Sequence, residues 1–247
     1  MRAIILAAGR GLRLQQPPTA EIPKCLLEFG GRTLLERHLE LLERAGVDEV
    51  VLVLGFMHET VEAELGRLTR YPRPRVVLNA QFELGSVLSL HSAADALTRG
   101  GDVLVMDADV LYHERIMSAL VAGAGPVNRI LIDRDFEAGD EPVKVCVRDG
   151  VPFELRKRLA ADLRYDTVGE SVGFFRFAQA AAARLTAIMA DYVGSGRGNE
   201  PHEEAVRDLL REASQPFEVA DITGTAWIEI DFPDDVERAA RDVLPQL

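Results

Sequence analysis

At 247 residues with 47% apolar content, the chain is long enough to bury a sizeable core, and one large α/β domain over residues 1–247 is expected rather than two small ones. A net charge of −12 argues against a nucleic-acid surface, which needs a basic patch. No apolar run approaches the ~20 residues of a membrane span, so no membrane insertion is expected. Met1 runs straight into an apolar strand, leaving no room for a signal peptide. The two cysteines, Cys25 and Cys146, read as buried free thiols rather than a disulfide or zinc pair. A cytoplasmic protein is expected.

The first strand, Met1 to Leu6, is a continuous apolar run that ends in Leu6-Ala7-Ala8-Gly9-Arg10-Gly11-Leu12-Arg13. Small side chains let backbone N–H groups approach phosphate oxygens, and Arg13 and Lys24 supply countercharge for a polyphosphate. The loop is no P-loop, because no Gly-Lys-Ser/Thr closes it. It is a poor dinucleotide fingerprint too, with Leu14 where a third small residue is wanted. A tight turn without a ligand stays open on these residues alone.

Thr33 to Ala45 is the clearest helix, with an apolar stripe including His38 and a stop at Gly46. Val50 to Leu54 is a buried strand, Met57 to Leu68 an amphipathic helix, and Tyr71 to Arg75 a surface connection into a strand at Val76 to Leu78. Ser86 to Leu97 is predicted helical and Val103 to Met106 is the fourth apolar strand. Asp107-x-Asp109 follows it, read as a strand-end carboxylate pair or as a cap on a helix from Tyr112 to Leu120. Strands alternating with helices predict a mostly parallel sheet covered on both faces, with ligand groups at the C-terminal strand ends.

Beyond residue 125 the texture changes. Arg129 to Ile132 is strand-like, and Val143 to Val147 and Val151 to Leu155 flank Asp149-Gly150, a hairpin signal. Gly173 to Phe177 is predicted as a strand, Ala178 to Tyr192 and Pro201 to Ala213 as helices, and Phe217 to Val219 as a short strand. Trp227 to Asp231 alternates as a strand before a last helix opening at Pro233. The expected result is a mixed sheet, its small β-rich extension and lid grafted onto a nucleotide-binding half that ends at about residue 125. Glu229-x-Asp231 repeats the carboxylate arrangement of Asp107-x-Asp109. Two such strand ends and a phosphate loop are the ingredients of a hard-cation site.

Leu6 to Arg13, Pro23-Lys24-Cys-Leu-Leu-Glu28 and Gly30-Gly-Arg-Thr-Leu-Leu-Glu36 together resemble the signature of nucleotidyltransferases that activate sugar phosphates and alcohol phosphates. Val105 to Val110, Val143 to Val145, Gly169 to Gly173 and Trp227 to Phe232 resemble the bacterial CTP:phosphocholine cytidylyltransferase branch. The resemblance runs nearly the whole length. It implies a Rossmann-like sheet whose half from about residue 126 to 247 binds the acceptor and completes the metal site, and transfer of CMP from CTP to a small phosphate or phosphonate acceptor, with release of pyrophosphate. It implies that Arg13 and Lys24 are catalytic, and that Leu6, Ala7, Ala8, Gly9, Gly11, Asn79, Ser86 and Asp107 contact the nucleotide. Asp109, Glu229 and Asp231 would hold Mg²⁺, and Lys144, Glu170 and Trp227 would face the acceptor, the lysine near its phosphate.

No general base is needed, because a phosphate or phosphonate nucleophile is already ionised near neutral pH. The histidines accordingly form no triad: His58, His91, His113 and His202 read as surface or capping residues, and Ser89 and Ser92 as structural. A quaternary ammonium would want an aromatic cage or carboxylates. Candidates are Phe82, Tyr112, Tyr165 and Trp227, and Asp133, Glu141, Glu170, Glu203 and Glu204. Low aromatic content, 6%, favours an aminoalkyl or polar head group. A sugar-1-phosphate nucleotidyltransferase using UTP, TTP or GTP and an inactive nucleotide-binding relative are the alternatives. The sequence is compatible with a homodimer.

Overall fold

The computed structural model describes residues 1–14, 22–212 and 214–247. The chain opens with β1 (Arg2–Ala7), a 3-10 turn at Lys24–Leu26, and a tiny hairpin of β2 (Glu28–Phe29) and β3 (Arg32–Thr33). Helix α1 (Leu34–Arg44) follows, its N-terminus closed by the Thr33 hydroxyl accepting from the Glu36 amide. Next come β4 (Glu49–Leu54), α2 (His58–Arg67), β5 (Arg75–Leu78), α3 (Ser86–Ser92), α4 (Ala94–Thr98), β6 (Val103–Asp107), β7 (Val110–Tyr112) and α5 (Glu114–Val121).

The second half contributes β8 (Asn128–Asp133), β9 (Lys144–Arg148), β10 (Val151–Arg156) and the long β11 (Thr167–Phe177). After them come α6 (Gln179–Gly194), α7 (His202–Leu210), β12 (Phe217–Asp221), β13 (Trp227–Glu229) and α8 (Pro233–Arg238), which runs on as a π-helical turn.

The main sheet runs β10-β9-β11-β6-β1-β4-β5, with β8 on the other edge of β11 and β12 beside β8. Strands β6, β1, β4 and β5 are parallel, whereas β11 is antiparallel to its neighbours β6, β8 and β9. Residue alternation along the parallel strands splits the core in two. Ile4, Val51, Val53 and Val105 pack on the face covered by α3, α4, α6 and α7. Ala3, Ile5, Leu52, Leu54 and Met106 pack on the other, with Leu35, Leu39 and Leu42 of α1. The expected fold class, a mostly parallel mixed sheet flanked by helices with a later β-hairpin extension, is what the chain adopts.

Four local expectations are corrected. The predicted helix from Ser86 to Leu97 breaks at Ala93 into α3 and α4. Val110 to Tyr112 is a strand, not a helix start, because it pairs with β13; the helix waits for His113, whose ring accepts from the Arg115 amide. Strand β11 begins six residues before Gly173. The end of the predicted Pro201 to Ala213 helix is Leu210, and residue 213 lies outside the described residues.

The arrangement of β11 creates the site. One edge pairs Thr167–Glu170 with β9 and then Phe174–Phe177 with β6, leaving residues 171–173 between the end of one partner and the start of the other. Gly173 sits there at φ +77°, and a Cβ on it would overlap the Asp107 carboxylate. Only glycine fits both the backbone and the acid.

Candidate active site

Two short β-ribbon strands bring the distant carboxylates together. Val110 of β7 pairs with Glu229 of β13, and the Ile230 amide donates to the Asp109 carbonyl at 2.9 Å. Asp109 is thereby set beside Glu229 and Asp231, and carboxylate oxygens of all three lie within 4.8 Å of one another. Asp235, in the first turn of α8, accepts from the amides of Asp231 and Phe232 and fixes the turn that aims Asp231.

Lys24 is threaded into this cluster. Its Nζ donates to Asp109 Oδ2 and to Asp231 Oδ1, each at 2.7 Å. Gly11, at φ +62°, lets the aliphatic stem pass: a Cβ there would come to 3.0 Å of Lys24 Cγ. Arg13 donates to the other Asp231 oxygen at 2.7 Å and to Glu141 at 2.7 Å, with its guanidinium 5.0 Å from the Phe232 ring centroid.

Burial would lower the Lys24 pKa, but the charges of Asp109 and Asp231 outweigh it and hold the ammonium above its usual range. For Asp231, burial pushes up while Lys24 and Arg13 pull harder, so it is held below the ordinary carboxylate value. Glu229 has no such direct partner, although solvent reaches it through the cleft. Enclosure, then the like charges of Asp109 and Asp231, push its carboxyl up. Asp107 is raised too, by burial and by Glu203, Asp109 and Glu229.

The cluster floors a cleft of about 360 Å³ whose walls include Leu6, Ala8, Gly9, Arg13, Lys24, Ser86, Asp107, Asp109, Glu229 and Asp231. Gly11 lies on an adjoining recess with Arg10, Arg13 and Lys24. A second cleft of about 600 Å³ meets the first at Glu229 and Asp231 and carries Glu170 and Trp227. The Trp227 indole donates to Asp133 at 2.8 Å, and both residues line this second cleft.

Three expected residues stand elsewhere. Lys144 is the main correction: its Nζ donates to the carbonyls of Gly139, Pro142 and Lys157, so all three ammonium donors are used in pinning a loop. Asn79 is buried and turned inward, donating to Ser89 and accepting from the Gln81 amide as a turn brace. Ala7 closes β1 without reaching either cleft wall.

Other wall residues had no sequence signal or a misleading one. Lys157 lines the first cleft beside the Arg13–Glu141 pair, 3.2 Å from Glu141; within Arg156-Lys-Arg158 it looks like a solvated basic run. His202, expected at the surface or as a cap, is 2% exposed. Its amide donates to Ser86 Oγ at 2.8 Å, and the same hydroxyl lies 3.0 Å from its Nδ1. Ser89, Ser171, Gly173 and Glu203 also line the wall.

The donor set fits a hard divalent cation: three clustered carboxylates with no soft ligand, open to a cleft where further oxygens can enter. Among the described residues no helix is long and apolar enough to cross a membrane.

The family model described as the MobA-like NTP transferase domain matches residues 3–172. The chain is 27% identical over 243 residues to the CMP-5'-(3-aminopropyl)phosphonate synthase of Streptomyces rubellomurinus, covering 97% of this chain but only 38% of that protein. It is 23% identical over 257 residues to the CTP:phosphoglutamine cytidylyltransferase of Campylobacter jejuni, covering 96% and 98% of the two chains. Among solved structures it superposes on the CTP:phosphocholine cytidylyltransferase of Streptococcus pneumoniae with a TM-score of 0.74 at 19% identity, over 97% of each chain.

Proposed function

The chain belongs to the MobA-like NTP transferase family, and from that premise we propose that it transfers CMP from CTP to a small phosphate or phosphonate acceptor carrying a cationic head group. The observation that carries this reading is the junction of two unlike clefts at one carboxylate cluster. The first offers small-residue backbone and three cations, Arg13, Lys24 and Lys157, to a triphosphate. Nine carboxylates line the second against one guanidinium, Arg238, among its described residues. Such a wall attracts an ammonium and repels an anionic head group.

The reaction forms a bond between an acceptor oxygen and the α-phosphorus of CTP. The bond from that phosphorus to the α–β bridging oxygen breaks, and pyrophosphate leaves with the electron pair. The acceptor oxygen is already ionised near neutral pH, so no side chain has to remove a proton. What the protein supplies is alignment and charge. The backbone of Leu6, Ala8 and Gly9 approaches the nucleotide, with Ser86 and Asp107 further along the same wall. Arg13 and Lys24 offset the charge that develops between two anionic reactants.

Asp109, Glu229 and Asp231 would hold the divalent ion, for which Mg²⁺ suits the all-oxygen donor set; when bound it supplies charge screening and Lewis-acid stabilisation. Glu170 and Trp227 would meet the acceptor's head group. In this reading residues 1–247 work as one unit, because the first cleft draws its walls from both halves. The names of the Streptomyces and Campylobacter relatives, which print CMP and CTP, support the choice of base.

The test is pyrophosphate release from CTP with Mg²⁺ and a panel of aminoalkyl phosphates, aminoalkyl phosphonates, choline phosphate and sugar 1-phosphates. Turnover with CTP and a cationic acceptor is expected. Activity only with UTP, TTP or GTP and a sugar phosphate would replace this reading, and silence across the panel would mark an inactive relative.

A further inference from the structure

Lys24 occupies the position a metal ion would need. Its ammonium lies 2.7 Å from one oxygen of Asp109 and 2.7 Å from one of Asp231, two of the three clustered carboxylates. The side chain is only 15% exposed, and both partner carboxylates are similarly enclosed, so this is not a pair that solvent screens away. An ammonium and a divalent cation cannot bridge the same two oxygens at once.

The surroundings give Lys24 a second place to go. The side chain lines both the main cleft and the adjoining recess with Arg10, Gly11 and Arg13. Its stem runs against Gly11, where the absence of a side chain leaves room for it to turn. A triphosphate on the opening loop would present anionic oxygens there, giving the ammonium a new partner without backbone movement.

We propose that Lys24 is the resident counter-ion of the divalent-metal site, so that the free enzyme excludes metal alone and accepts it together with a nucleoside triphosphate. The inference rests on the metal assignment of Asp109, Glu229 and Asp231 made above. It gives Lys24 a role before any chemistry: the lysine couples the two ligands, each making the other's binding more favourable by the same factor.

Mn²⁺ binding followed by its free-ion electron paramagnetic resonance signal tests this without turnover. Wild-type protein should bind Mn²⁺ weakly alone and about 10-fold or more tightly with a non-hydrolysable CTP analogue. Lys24→Met should bind Mn²⁺ alone about 10-fold more tightly than wild type, and the nucleotide should then add little. Lys157→Met removes a nearby cation that is not bonded to Asp109 or Asp231. It should change metal-alone affinity by less than about 2-fold, which separates bridging from general charge. Equal metal-alone affinity in Lys24→Met and wild type overturns the proposal, as does an equal gain in both lysine variants.

Thermal melting of the wild type keeps the test independent of any variant's folding. Mn²⁺ alone should leave the midpoint unmoved, and Mn²⁺ with the analogue should raise it; equal stabilisation by metal alone overturns the inference. Asp109→Asn checks the underlying metal assignment separately, since intact nucleotide-assisted Mn²⁺ binding in that variant would refute the assignment itself.

Discussion

The two clefts share Glu229 and Asp231, yet their charges are settled in opposite ways. In the first, Lys24 bridges Asp109 and Asp231 and Arg13 reaches Asp231 as well, so two of the three clustered acids are answered from within the chain. In the second, carboxylates crowd a wall where Arg238 is the lone cation among the described residues, 3.7 Å from Glu137. Burial and the neighbouring charge of Asp133 push Glu170 up to about 7. The contrast has a physical meaning. Under the function proposed above, the first cleft would receive an anion and a metal with paired charges ready to change partners, and the second would receive a cation that relieves its crowded acids.

Breaking the shared floor should have the largest effect. Asp109→Asn removes one of three clustered carboxylates and half of the Lys24 bridge, so kcat/KM for pyrophosphate release should fall about 10³-fold. A circular-dichroism melt should still show one cooperative transition. A loss below tenfold would mean that the two clefts do not share a reacting centre.

Gly173→Ala attacks the first cleft alone. The added methyl would overlap the Asp107 carboxylate and hold alanine at φ +77°. Denaturant titration should show a loss of about 2–3 kcal/mol. A loss under about 0.5 kcal/mol would mean the seam between β6 and β9 gives way easily.

Glu170→Gln sharpens the description of the second cleft, and its sign follows from linkage. The folded pKa of about 7 stands above the ordinary 4.5, so the native state binds this proton more tightly than the unfolded chain. The cost of ionising Glu170 is absent below about pH 4.5 and complete above about pH 7. Wild-type stability should therefore fall as pH rises through that window, and the glutamine variant should lose that part of the slope. At pH 8 the variant should be more stable by about 1–2 kcal/mol, after allowing for partial solvent screening. A parallel pH profile for the two proteins would remove Glu170 as the strained acid.

The parallel half of the sheet was legible because its strands are continuous apolar runs: Val50 to Leu54 and Val103 to Met106 fall within β4 and β6. The site was legible in part for the same reason, since Arg13, Lys24, Asp109 and Asp231 follow strand ends or belong to tight local motifs. What the sequence hid depends on partners far along the chain. Val110 to Tyr112 is too short to declare itself a strand until β13 arrives more than a hundred residues later. Ala93 interrupts a helix without a glycine or proline to mark the break. Lys144 looked like a phosphate ligand because nothing local reveals three carbonyls converging on its ammonium. Lys157 and His202 reach the cleft only through tertiary placement, with no spacing rule to announce them.

Strand β11 carries one last implication. The family match ends at residue 172, inside Thr167–Phe177 and just before the segment that pairs with β6. A fragment cut at that point would keep Thr167–Glu170 on β9 but lose Phe174, Phe175 and Phe177, three of the largest fully buried side chains. Residues 3–172 on their own are therefore expected to melt less cooperatively than the whole chain, and a version that carries the rest of β11 is expected to recover that cooperativity.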